Sequence, residues 1–383
     1  MLDIGLALEA GLFSDRGADA AGAVAAAGLA ELMRLGNGHA SALRENLFDL
    51  LAADQPRQEA ISACLIAAAV VEMTLPVEPR NFTDFLTSSF HKIRLSPKGT
   101  LDPNFKSLPL AYHSRASSVR ISGGDIIRPH VQFSDGQQVT FGPTRELDFE
   151  LELGAFVGPG NPLGQPISIH RAADHIFGFC LLNDWSARDI QRWESLPLGP
   201  FLAKSLSTSV SPWIVTEEAM RPFRTPAARR APDDPPTLDY LTSTSDQATG
   251  GIDLALEVWL ASKAMREIGS PPVRPTATNF RTMYWTFAQM LTHHASNGCN
   301  LLPGDVLGSG TASGPEPESR ACLAELTERG RTPVRLSDGE TRTWLEDGDE
   351  VTLRGRATRD GFASIGFGEC VGTIQAAIAW PAN

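Results

Sequence analysis

From Leu147 to Leu153 the chain alternates apolar and acidic residues: Asp148, Glu150 and Glu152 stand between Leu147, Phe149, Leu151 and Leu153. A period of two predicts a strand with one apolar face, and it puts Glu150 and Glu152 on the same side, about 6.7 Å apart along the chain. Taken alone, the pattern describes a half-exposed strand with solvated carboxylates. The continuation Gly154-Ala155-Phe156-Val157-Gly158 is apolar on both faces, so the strand runs into the interior. A carboxylate there needs a cation, a hydrogen-bond donor or a metal. Two carboxylates on one face suit a hard divalent cation such as Mg²⁺ or Ca²⁺.

Other stretches carry residues able to complete such a site. Asn183-Asp184 follows the apolar run Ile176–Leu182; the spacing predicts a strand that ends at Asp184 and a helix capped by Asn183 or Asp184. Asp184 at the end of that strand suits a third metal carboxylate. Arg188 and Gln191, three residues apart, share a helix face. Lys204 sits in the apolar, turn-rich segment Leu198–Ser205, a costly place for a lysine unless carboxylates neutralise it. Asp84 and His91 bracket Phe85–Phe90, and Ser309–Pro315 is a loop of small residues fit for close substrate approach. Glu325 is an acid in what reads as an apolar strand, Cys322–Leu326. The pair His293-His294 is a poor metal site, because adjacent helical residues point about 100° apart.

The elements that must position these groups follow from composition and pattern. The 383 residues suffice for a large core and two domains. With 34 Gly and 27 Pro, the chain is rich in turns and strands. A net charge of −12 argues against a nucleic-acid or anionic-membrane partner. No apolar stretch is long enough to span a bilayer, and Met1-Leu2-Asp3 lacks the basic start of a signal peptide. The five scattered cysteines, with no C-x-x-C pair, read as reduced and mostly buried thiols of a cytoplasmic protein. Residues 1–79, rich in Ala and Leu, predict helices over Ala18–Leu35 and Leu43–Val71, broken at Gly36-Asn37-Gly38 and Asp54-Gln55-Pro56, with Ala63–Val71 as a buried segment. The character changes near Pro76–Pro79, which places a domain boundary between 79 and 80. The proline-rich 221–250 reads as a surface loop, Ile252–Leu260 as a strand and Asn279–Ser296 as a helix.

From about Asn81 onward the chain resembles the fumarylacetoacetate hydrolase family. The resemblance rests on Asp84-Phe85…His91, Leu108–Ser118, Asp148–Glu152, Phe156–Asn161, Asn183–Glu194, Pro197–Lys204, Tyr284-Trp285, Thr292–His294 and Ser309–Glu318. It implies an α+β, mostly β fold: a rolled mixed β catalytic domain, 80–383, behind a small helix-rich N-terminal domain, 1–79, shortened relative to the family. It implies a divalent metal on Asp84, Glu150, Glu152 and Asp184, and a general base His91 oriented by Glu325. Donors around the reacting carbonyl fall on Arg188, Gln191 and Lys204. The substrate pocket takes in Leu86, Tyr112, Ser195 and Thr311 beside Arg188 and Gln191. The implied activity is metal-dependent hydrolysis of the carbon–carbon bond of a 1,3-diketo acid by a homodimer. The substrate would be fumarylacetoacetate, the last intermediate of tyrosine breakdown, or a close analogue. A relative with a different 1,3-dicarbonyl, a decarboxylase or tautomerase, and an inactive binding protein are the alternatives; the presence of both His91 and Glu325 disfavours the last three.

The chain also departs from the family pattern. Leu86 and Ser195 stand where the family has tyrosines that hold the substrate's distal carboxylate. The segment after His91, where the family has a pocket arginine, is about five residues shorter here by that resemblance, which leaves Arg94 or Lys98 as replacements. The expectation is a pocket that prefers a bulkier or less charged tail and turns fumarylacetoacetate over slowly.

Overall fold

The computed structural model describes residues 1–337 and 339–381. Its centre is an eight-stranded mixed sheet. In spatial order the strands are Leu110–His113, Phe82–Leu86, Val306–Gly308, Leu151–Val157, Ile176–Asp184, Thr208–Val210 and Val119–Ile121, with Val215–Thr216 also on the fifth. Phe82–Leu86 runs parallel to Val306–Gly308, and the latter runs antiparallel to Leu151–Val157. A second sheet of five strands, Val273–Asn279, Ala255–Ala261, Glu350–Ala357, Ile365–Gln375 and Gly124–Ile127, packs against it. One apolar cluster fills the space between them, drawing Leu151, Leu153, Phe179 and Leu181 from the first sheet and Leu256, Val258, Leu353 and Phe367 from the second. The mostly β architecture is the expected one.

The alternating stretch is buried on both faces. Leu147–Asp148 pairs with Ser186–Ala187, the strand breaks at Phe149-Glu150, and Leu151–Val157 resumes in the large sheet. Asp148, Glu150 and Glu152 are all buried, so none of the three carboxylates is solvated.

Residues before Phe82 form helices Ile4–Glu9, Asp15–Ala27, Leu29–Leu35, Asn37–Leu50 and Gln58–Ala63. Their apolar faces share a second cluster with the outer face of the sheet, in which Ala20, Met33 and Leu43 join Phe82, Phe156, Phe177 and Val306. The helical run breaks at Gly28 as well as Gly36, both with positive φ (+73° and +85°), a conformation open to glycine at no steric cost. Helix resumes at Asn37 rather than Leu43, ends at Leu50, and after the expected break at Asp54-Gln55-Pro56 returns only as Gln58–Ala63, short of Val71. Ala63–Val71 is a correction: apart from Cys64 the run is largely exposed, with Val70 75% exposed, because only Ile61 and Cys64 of this neighbourhood reach the core. Three more boundaries move. The helix expected over Asn279–Ser296 covers Phe287–Ala295, set by a capping box at Thr286 and Gln289. Neither Asn183 nor Asp184 is a cap, since Ser186–Ala187 intervenes and the helix starts at Arg188. Glu325 lies not in a strand but in the short helix Leu323–Leu326. Among the described residues no helix is long and apolar enough to cross a membrane.

Candidate active site

Asp84, Glu150, Glu152 and Asp184 converge, with one oxygen from each lying within 4.8 Å of the others, all buried. Sheet register explains how. Asp84 pairs with Gly308 on one side and Gly308 with Gly154 on the other, so Asp84 and Glu152 approach across a residue with no side chain. A Cβ at Gly308 would lie 2.6 Å from Asp84 Oδ1 and 3.0 Å from Glu152 Oε2. Asp184 ends the neighbouring strand, and Glu150 arrives from the break before Leu151, its N–H bonded to Asn183 Oδ1 at 3.1 Å.

Two cations offset part of this charge. Lys204 Nζ donates to Glu150 Oε2 at 2.5 Å and Asp184 Oδ2 at 2.7 Å. Its short 3₁₀ turn is held by Glu194, whose carboxylate accepts from the N–H groups of Phe201, Leu202 and Ala203. Arg188 pairs with Asp148 Oδ2 at 2.9 Å and Glu150 Oε1 at 2.6 Å, and donates to Gln191 Oε1 at 3.0 Å. Were all five buried carboxyls ionised, they would exceed the two cations by three negative charges, and a divalent ion would bring that excess to one. Buried charges this close are unstable without such compensation. Burial, then Asp184, push the Asp84 carboxyl up to about 8, and burial with Asp84 pushes Glu152 well above the carboxylate range. Burial also acts to raise Glu150, but Lys204, Arg188 and His91 outweigh it and hold it well below that range. Asp84 Oδ1 and Glu152 Oε1 are buried with no hydrogen-bond partner, so the oxygens that lack donors are aimed where a cation fits. An all-oxygen donor set is that of a hard divalent ion. Because the gap depends on Gly308, Gly308→Ala should weaken divalent-metal affinity by about 10–100-fold in a calorimetric titration; unchanged affinity would mean that the gap across Gly308 is not needed.

His91 lies beside this cluster on the helix Ser89–Leu95, whose N-cap, Ser88, accepts from the His91 N–H at 3.1 Å. Its Nδ1 is 2.6 Å from Glu325 Oε1, and its Nε2 faces Thr311 Oγ1 at 3.4 Å and Glu150 Oε1 at 4.0 Å. Glu325 is held on all sides: Ser313 Oγ donates to Oε1 at 2.5 Å, Cys322 Sγ approaches the same oxygen at 3.5 Å, and Arg94 Nη1 donates to Oε2 at 2.9 Å. Burial would raise the Glu325 carboxyl, but His91, Ser313 and Arg94 bring it down to about 2. Asp148 fixes the helix that carries Glu325 by accepting from the N–H groups of Leu323 (2.7 Å) and Ala324 (3.0 Å).

One cavity of about 600 Å³ joins these groups: Asp84, Glu150, His91, Tyr112, Arg188, Gln191, Lys204 and Thr311 line it, together with Leu86 and Ser195. All thirteen residues singled out from sequence thus reach this cavity or the groups that line it, Glu152, Asp184 and Glu325 from behind. Several have different partners than expected. Tyr112 Oη meets Asp84 Oδ2 at 2.7 Å and Asp184 Oδ2 at 2.9 Å, so it braces the acidic cluster. Arg188 and Lys204 are largely spent on carboxylates, whereas Gln191 keeps its amide N–H groups. The Ser195 hydroxyl donates to the Gln191 carbonyl oxygen. Arg94 is committed to Glu325 and to the carbonyls of Gly314 and Pro315 at 2.8 Å each, and Lys98 is exposed and does not line the cavity. Neither of the two lines the cavity. Sequence reasoning missed the support groups Ser313, Cys322, Asp148 and Gly308; only Asp148, in the alternating run, carried a signal. His293 and His294 bond instead to Tyr240 and Thr83.

Comparison with known proteins agrees with this geometry. The model of the fumarylacetoacetate (FAA) hydrolase C-terminal family matches residues 82–375. The chain is 49% identical to a fumarylacetoacetase of Arabidopsis thaliana over 79% of its length and 71% of that protein. It is 43% identical to the Bos taurus fumarylacetoacetase over 92% and 84%, and 43% identical to the human one over 91% and 84%. In fold it is similar to the crystal structure of a Mycobacterium smegmatis protein assigned as HpcE, with TM-score 0.52 and 20% identity over 94% of this chain and 93% of that one. With a family model spanning the whole catalytic body and relatives of this similarity across plants and animals, the chain belongs to the fumarylacetoacetate hydrolase family.

Proposed function

We propose that this protein hydrolyses the carbon–carbon bond of a 1,3-diketo acid, fumarylacetoacetate to fumarate and acetoacetate, or a close analogue. The observation that carries the reading is the His91–Glu325 pair at 2.6 Å, with His91 Nε2 turned toward the four-carboxylate cluster inside one cavity. Decarboxylation, tautomerisation and simple binding need no group that activates water, which is the task this pair is built for.

The chemistry follows from the residues. Ionised Glu325 accepts Nδ1–H and leaves Nε2 as the acceptor. His91 Nε2 removes a proton from water, Thr311 Oγ1 lies beside that nitrogen, and Glu325 steadies the imidazolium that forms. The water oxygen bonds to the acyl carbonyl carbon, and Gln191 Nε2, with what remains of the Lys204 and Arg188 donors, meets the alkoxide. As the carbon–carbon bond breaks, its electron pair passes to the departing carbon and is held as the enolate of the remaining ketone, and His91 returns the proton to that carbon. A divalent ion on Asp84, Glu150, Glu152 and Asp184, Mg²⁺ or Ca²⁺, supplies Lewis-acid polarisation of the dicarbonyl oxygens.

The reading also takes residues 80–383 as the catalytic domain, 1–79 as a brace on its outer face, and the protein as a cytoplasmic homodimer. Apolar Leu196, Leu198 and Phe201, exposed next to the cavity, support the dimer.

The test is a hydrolysis assay on fumarylacetoacetate beside a panel of acylpyruvates and other 1,3-diketones, with each metal. No turnover of any of them would reject the reading. Leu86 and Ser195 both line the cavity, and a lost bond to a charged group is worth about 1.5–3 kcal/mol. Leu86→Tyr with Ser195→Tyr should therefore raise kcat/KM for fumarylacetoacetate about tenfold or more. A double variant with unchanged or lower kcat/KM would show that no donor is missing there.

A further inference from the structure

The cavity is lined by five cations, Lys92, Arg188, Arg192, Lys204 and Arg329. Four have acidic partners. Arg188 and Lys204 bind the buried carboxylates, Lys92 pairs with Asp102 at 2.8 Å, and Arg192 forks onto both oxygens of Glu146 at 2.6 Å. Of these five, Arg329, which is exposed, alone has no carboxylate partner among the described residues. Its one side-chain bond is from Nη2 to the Leu95 carbonyl at 2.7 Å. The neighbouring acid, Glu328, is turned to Arg320 at 3.6 Å.

The backbone that presents Arg329 is built. Glu328 and Arg329 are both left-handed (φ +50° and +63°) and Gly330 follows at +81°. A non-glycine residue in that region is strained, and such strain clusters at ligand sites. It is held by the Arg329 N–H on the Ala324 carbonyl at 2.8 Å and by the Gly330 N–H on Thr327 Oγ1 at 2.9 Å. Arg329 thus stands four residues beyond Glu325 on the same tightly bonded segment, and its placement is tied to that of the catalytic pair.

We infer that Arg329 is the specificity-determining cation that receives a carboxylate at the end of the substrate remote from the dicarbonyl. This rests on the proposed hydrolase reading and names its substrate class: acids charged at both ends. A planar guanidinium with open N–H groups matches a carboxylate in two parallel bonds. It supplies charge recognition that Leu86 and Ser195 do not provide and that Arg94 and Lys98, which do not line this cavity, are not placed to give.

The test uses two cleavage-product analogues with the metal-loaded protein: fumarate, with carboxylates at both ends, and crotonate, in which a methyl group replaces the remote one. Binding is read by calorimetry, so it does not depend on turnover. Wild type should bind fumarate more tightly than crotonate. Arg329→Gln should lose about 10–100-fold in fumarate affinity and change crotonate affinity by less than about threefold, with Arg329→Lys intermediate. Arg192→Gln, which removes a cation already paired, should change neither selectively. Equal binding of the two acids by wild type, or equal losses for both in Arg329→Gln, would overturn the inference even if fumarylacetoacetate is hydrolysed. Selective loss without any hydrolysis would uphold the carboxylate site and reject the proposed reaction.

Discussion

His91→Ala should lower kcat for 1,3-diketo acid hydrolysis by about 10²–10⁴-fold while metal content stays near wild type. The imidazole is not among the four carboxylates, and its Nε2 is 4.0 Å from the nearest of them, so its loss leaves the acidic cluster intact. The loss should appear in kcat and kcat/KM alike, as for a group whose contribution is made in the transition state. Glu325→Gln keeps the shape of the pair but removes the charge that stabilises the imidazolium, and it should also cost a large part of the rate. That variant has a second signature. Because the Glu325 carboxyl is depressed to about 2 in the folded chain, its ionised form stabilises the fold above the unfolded carboxylate range, and this is lost as pH falls from about 4.5 toward 2. The amide has no such pH dependence, so the two proteins should converge in stability on acidification. More than about a tenth of the wild-type rate left in His91→Ala would exclude it as a general base of ordinary worth.

The four clustered carboxylates and the proposed base were legible in the sequence for different reasons. Glu150 and Glu152 stood out through period-two alternation, and Asp184 because an apolar run must end somewhere. Asp84, His91 and Glu325 carried little signal of their own and were placed by resemblance. The break at Phe149-Glu150 was hidden because a buried strand interruption keeps its alternation. Glu325 read as strand because a one-turn helix is too short to show a 3.6-residue period. Its end is fixed by Asp148 accepting from the N–H groups of Leu323 and Ala324, a contact 175 residues away in the chain. The partners of Arg94, Tyr112 and Lys204 are also products of tertiary pairing, which residue type alone does not reveal. In the N-terminal helices, the apolar run Ala63–Val71 promised burial that its position, past the last helix to reach the sheet, does not deliver.

Binding of Mg²⁺ or Ca²⁺ at the four carboxylates should release protons near neutral pH. Two of the ligands set the expectation. Asp84 is pushed up to about 8 by burial and Asp184, and Glu152 well above its usual range by burial and Asp84. Asp84 therefore carries a proton at pH 7 when no cation lies beside it and Glu152 is shifted the same way, whereas Lys204 and Arg188 keep Glu150 ionised. A hard cation needs deprotonated oxygens, so its binding displaces those protons and its apparent affinity rises with pH. Calorimetric titrations at pH 7 in buffers of different ionisation enthalpy should report net proton release on metal binding, with Asp84 as a main source. The same groups set the stability of the chelated protein. A carboxyl whose folded value lies above its unfolded one destabilises the fold once pH exceeds the unfolded value, so the chelated protein should lose thermal stability as pH rises from about 4 to 8. Metal should reverse that loss, since a ligand bound only to the folded state stabilises it, and exhaustive chelation should abolish hydrolysis. Asp84→Asn should remove close to one proton of the release along with most of the affinity. No proton release between about pH 6 and 8, or full activity in a verified metal-free preparation, would mean that Lys204 and Arg188 alone satisfy the acidic cluster and that it is not a metal site.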